Sequence, residues 1–65
     1  MAIRLDTSRY ERAHGRKPRQ PRDYPVSPWA FQIDDDPRPV FIAAAYRDAV
    51  RQAKARARKR VIVLP

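Results

Sequence analysis

Residues 29–43, "WAFQIDDDPRPVFIA", decide how the rest of the chain is read. Trp29, Phe31 and Ile33 alternate with Ala30 and Gln32, the period-two pattern of a strand with one buried face. Apolar β-formers resume at Val40, Phe41 and Ile42. Between the two runs stand Asp34, Asp35, Asp36, Pro37 and Arg38. Aspartate hydrogen-bonds its own neighbouring backbone and proline presets φ, so this is turn chemistry. Two structures compete for the segment: a hairpin, or a helix capped by Asp36 with Pro37 in its first turn. A helical wheel run back from the following segment puts Val40 and Phe41 off its apolar face. The expectation is therefore a hairpin, with the three aspartates forming an exposed turn that serves structure and solubility.

Outward from the hairpin, residues 44–60, "AAYRDAVRQAKARARKR", carry the helical period. Tyr46, Ala49, Val50, Ala53 and Ala57 fall within an arc of about 100°, the width of a core-facing stripe. Asp48 near the start and Arg58, Lys59 and Arg60 at the end suit the helix dipole. No Ser, Thr, Asp or Asn precedes Tyr46, so the first turn lacks a capping side chain of its own. "VIVL" at 61–64 then reads as a strand buried on both faces. A strand–helix–strand link normally makes the two strands parallel. At the other end "AIRLD", residues 2–6, alternates as a short strand. Residues 7–28 hold four prolines and a run of basic side chains, the composition of an extended loop or arm. The expected fold is α+β: one small mixed sheet of three to four strands in the order β-β-β-α-β. One amphipathic helix packs on a face of it, and residues 1–65 make a single domain.

The chain has 65 residues and a formal net charge of +8. At that size little surface is hidden, and stability is marginal without a staple or partner. Cysteine is absent, which excludes disulfides and thiolate metal sites. Neither a signal-peptide pattern nor a long apolar run is present, so the expectation is a cytoplasmic protein with no membrane partner. Charge is segregated. Residues 1–22 carry seven Arg or Lys against two acids, residues 23–49 two against five, and residues 50–65 six against none. Two basic segments flanking an acidic centre favour an anionic partner, although a solvated basic surface would give the same composition.

Catalytic chemistry finds few candidates. Asp34 and Asp36 have no Glu, His or Asn near them in sequence to complete a metal shell. His14 is the only histidine and has no nucleophile to activate. One glycine cannot build a phosphate-cradling loop. The expectation is a protein without catalytic residues, cofactor or metal. Binding chemistry is better represented. Arg16, Lys17, Arg19 and Arg22 lie in "HGRKPRQPR", where proline keeps a basic strand extended along a phosphate backbone or groove. Tyr10, Tyr24 and Trp29 flank it as potential base-stacking rings. Arg47, Arg51, Lys54 and Arg58 form a second basic stripe beside the apolar face of the predicted helix, where like charges repel unless a partner neutralises them.

"HGRKPR", "PWAFQI" and "AYRDAVRQAKARA" together resemble small uncharacterised accessory proteins encoded by bacteriophages and mobile elements. The resemblance spans about half the chain. It implies an effector acting in the bacterial host cell on a nucleic acid or host nucleoprotein complex, for example as an anti-CRISPR inhibitor. Two alternatives stay open: a direct DNA- or RNA-binding accessory protein, and a protein-directed inhibitor of host transcription that meets an acidic protein surface. A second copy of the chain is a further candidate partner.

Overall fold

The computed structural model of the chain describes residues 3–65, so Ala2 of the first expected strand lies outside it. The elements are β1 (Arg4–Asp6), α1 (Ser8–His14), β2 (Ser27–Ile33), β3 (Val40–Ala44), α2 (Tyr46–Arg56) and β4 (Arg60–Val63). The four strands form one sheet in the order β1-β4-β2-β3. β2 runs antiparallel to both its neighbours, while β1 and β4 are parallel. The fold is therefore α+β with a mixed sheet, as the periodicity implied. β3 and β4 lie parallel on either side of β2, joined through α2.

Register explains the core. Phe31 pairs with Val40 on one side and Val63 on the other, so it occupies the middle of the sheet. Phe31, Val61 and Val63 are fully buried, with Trp29, Ile33 and Ile42 around them. The small side chains of Ala49 and Ala53 let α2 approach this face closely, and both alanines are inaccessible to solvent. Burying a large apolar side chain contributes about 1.5–3 kcal/mol. A domain of 65 residues is stable by something on the order of 3–10 kcal/mol in total. Each of the three central side chains is thus a sizeable part of what keeps the chain folded. On the opposite face of the sheet Pro28, Phe41 and Ala43 are exposed, and Phe41 is the most open of the large apolar residues.

Three features depart from the sequence reading. Residues 7–28 are not wholly an arm, because Ser8–His14 form the helix α1. None of its residues is fully buried, so no apolar stripe announces it; Tyr10 alone packs against the core, and bonds at its ends fix the helix. Asp6 Oδ1 accepts from the Ser8 backbone N–H at 2.9 Å and from the Ser8 hydroxyl at 2.6 Å. Those bonds hold the Asp6 carboxyl below its ordinary value. The Thr7 hydroxyl donates to Glu11 Oε2 at 2.6 Å, which ties the first turn together. At the other end Gly15 takes φ 71° and donates its N–H to the Glu11 carbonyl, the left-handed termination that glycine permits without strain.

The second departure is the end of α2. Ala57 is extended at ψ 156°, so Arg58, Lys59 and Arg60 lie outside the helix rather than in its last turn. The cause sits in the aspartate run, and it is the third departure. Asp34 adopts φ 50° and turns its carboxylate towards the α2–β4 connection. It accepts backbone N–H bonds from Arg58 at 3.0 Å, Lys59 at 2.7 Å and Arg60 at 3.1 Å. These donors, that of Lys59 foremost, hold the Asp34 carboxyl below the usual carboxylate range. Asp35 pairs with the Arg60 guanidinium at 3.1 Å and with Lys59 Nζ at 3.7 Å. Only Asp36 works purely within the turn, accepting the Arg38 N–H at 3.0 Å. The segment links two antiparallel strands as expected, yet two of its three carboxylates fasten β4 rather than face solvent idly.

Candidate nucleic-acid interface

Beyond α1 the chain runs through residues 16–26 without regular structure, and one side chain anchors it. Gln20 Oε1 accepts from the Tyr46 backbone N–H at 2.7 Å and from the Trp29 indole N–H at 3.3 Å. Its Nε2 donates to the Tyr24 carbonyl and to the Ser27 hydroxyl. Ala45, the residue that precedes α2, makes no side-chain cap bond. Gln20 supplies the missing acceptor from a distant part of the sequence, satisfying one of the orphan donors of the first turn. The arm is thereby fixed against both β2 and the start of α2.

Anchoring Gln20 sets the arginines on either side of it around a cleft. Arg16, Arg19 and Arg22, with Pro21, line an open groove of about 370 Å³. It adjoins a second pocket of about 280 Å³, to which Arg16, Arg19 and Pro21 are common. The second pocket is walled by Tyr10, His14, Pro28 and Trp29, with Leu64 and Pro65 closing it. Tyr10 and His14 stack with ring centroids 4.2 Å apart and planes inclined by 25°. Tyr10 also lies 6.1 Å from Trp29, whose far side meets Tyr46 at 4.7 Å. Partial burial in this aromatic group pushes the Tyr46 phenol above its ordinary value.

Of the eight basic residues singled out from the sequence, Arg16, Arg19 and Arg22 converge on the groove, and Lys17 is exposed beside it. Arg47, Arg51 and Lys54 lie along α2, away from the groove lining. Arg58 does not join their stripe, since the helix has ended before it and its backbone is held by Asp34. Arg51 bonds to Asp48 at 3.0 Å, so the stripe is partly neutralised within the helix. Among the described residues no carboxylate stands within ion-pair distance of Arg16, Arg19 or Arg22; the ion pairs involve Arg38, Arg51, Lys59 and Arg60. His14 is exposed to solvent, and its stack on Tyr10 is a contact the sequence analysis did not foresee. The signal was the four-residue spacing of Tyr10 and His14, which has meaning only once α1 is recognised as a helix.

Among the described residues no group of three or more His, Cys, Asp or Glu side chains is arranged to hold a metal ion. Among the described residues no helix is long and apolar enough to cross a membrane. The geometry thus offers anion recognition beside an aromatic wall, from arginines that make no ion pair of their own. Comparison with family models, curated proteins and solved structures finds no match to this chain.

Proposed function

We propose that this chain is a non-enzymatic binding protein whose basic surface engages a nucleic acid or a nucleoprotein complex. The observation that carries this reading is the cleft of Arg16, Arg19 and Arg22, anchored at Gln20 and making no ion pair with the chain's own carboxylates. Ordering three like charges around one groove is unfavourable unless an anion occupies it, and phosphates are the anions that arginine meets most effectively. The basic residues of α2 extend the positive field and speed encounter more than they define the site. The sequence resemblance supports placing this activity in the cytoplasm of a bacterial host, as a phage-type effector such as an anti-CRISPR inhibitor.

The test is a binding titration with fluorescent DNA and RNA at low and at near-physiological salt. Binding that weakens steeply with salt supports phosphate contact, because each neutralised phosphate releases counterions. Absence of binding at low salt refutes it. A second reading has its own observation: Tyr24, Val26 and Phe41 are apolar and well exposed, as at a protein-docking surface. In that reading the chain covers a host protein, for example of the transcription machinery, and its arginines meet carboxylates. A bacterial pull-down that retains its partner after nuclease treatment favours this second reading.

A further inference from the structure

Resting on the nucleic-acid reading above, we infer that the cleft takes an unpaired nucleotide, with its base in the aromatic pocket and its phosphates on the arginines. The two pockets differ in chemistry and share a wall. One is lined by Arg16, Arg19 and Arg22, and the other by Tyr10, His14, Pro28 and the edge of Trp29. Arg16 and Arg19 belong to both, so a ligand filling the pair must present a flat apolar part next to an anionic part. A single nucleotide unit has that construction. A duplex does not, because its bases are stacked on one another and only its phosphates project.

Size points the same way. The aromatic pocket, at about 280 Å³, accommodates one base but no base pair with its backbones. Tyr10 and His14 stack on each other and both line the pocket, and His14 is exposed, so its ring is open to a base that enters. Tyr10 supports that ring and is itself packed against the core. Pro21 and Pro28 contribute rigid rings to the walls, which lose little freedom when a ligand enters. Stacking on such a platform tolerates any base, so the expected preference is for single strands rather than for a sequence.

The experiment uses the full chain, a fluorescent single-stranded oligothymidylate and a duplex of equal length. Trp29 is the only tryptophan, so its emission reports the pocket directly. The single strand should bind at least tenfold more tightly than the duplex and quench Trp29. With three arginines on phosphates, its affinity should fall roughly 20-fold between about 50 and 200 mM salt, following the single-strand counterion slope. His14→Ala should weaken single-strand binding roughly tenfold and leave duplex binding unchanged, while His14→Phe, which keeps a stacking ring, should restore it. Circular dichroism confirms that both variants retain the fold, since His14 is exposed. Equal binding of duplex and single strand without quenching overturns the nucleotide pocket and leaves the broader reading in place. No binding of either probe at low salt overturns both. Full competition by polyglutamate at equal charge overturns the pocket in favour of an acidic protein ligand.

Discussion

Replacing Gln20 by alanine separates an ordered arm from a merely tethered one. The substitution removes the acceptor shared by the Tyr46 N–H and the Trp29 indole, and the donor to Tyr24 and Ser27. Loss of a helix cap costs about 1 kcal/mol. Loss of a neutral hydrogen bond to the indole of a buried tryptophan costs about 1 kcal/mol more. The Tyr24 carbonyl and the Ser27 hydroxyl lie near solvent, where water replaces the amide at little cost. The total of about 2 kcal/mol corresponds to a fall in Tm of about 8–16 °C for a domain of this size. Gln20→Glu keeps the acceptor and adds negative charge at the start of α2, which the helix dipole favours, so it should retain most of the stability. Thermal melts followed by circular dichroism give the magnitude, and the Trp29 indole N–H resonance reports the lost bond directly. An alanine variant melting within about 2 °C of the parent, with the indole signal unmoved, would show that the arm is not held by this residue.

Asp34→Asn should lower Tm by several degrees although asparagine also tolerates the left-handed backbone, because the neutral amide is a weaker acceptor for the three N–H groups; Asp35→Asn and Asp36→Asn should do less in the same melts. Since the folded state holds the Asp34 carboxyl below its ordinary value, its contribution is complete at neutral pH and disappears as pH falls through that lowered value. The gap between parent and Asp34→Asn should therefore begin to narrow in melts below pH of about 4 and close only below the lowered value. Ala53→Leu forces extra volume between α2 and the sheet and should cost about 1–3 kcal/mol in urea denaturation. Phe41→Thr should leave the urea midpoint unchanged, since that ring is 72% exposed and contributes no core packing.

How far the sequence could be read depended on whether apolar side chains marked each element. Trp29, Phe31 and Ile33 announced β2 by their spacing, and all three are buried. The stripe on α2 was equally visible, because Ala49 and Ala53 had to face the sheet. α1 buries none of its residues, so periodicity could not find it; its local marks were the Asp6–Ser8 and Thr7–Glu11 bonds and Gly15. The arginines of the cleft were legible as a charge run, but their convergence was not. It depends on Gln20 meeting Tyr46, 26 residues away in sequence, and no local pattern encodes that contact. Arg58 was misplaced for the same reason. The helical period runs on through Ala57, whereas the backbone beyond it is claimed by a carboxylate 24 residues earlier.

The strand order has a consequence for how the chain reaches its native state. β4 is the last strand in sequence and lies between β1, the first, and β2. The β2–β3 hairpin and α2 make mostly short-range contacts, which form early because little loop entropy is lost. The parallel β1–β4 pairing joins segments far apart in sequence, so it closes a longer loop than the β2–β4 pairing does. Until β4 inserts, the hairpin has an open edge and Phe31 lacks its Val63 neighbour. The rate of that insertion, more than the strength of any single contact, sets how long the folding protein is exposed to aggregation and proteolysis.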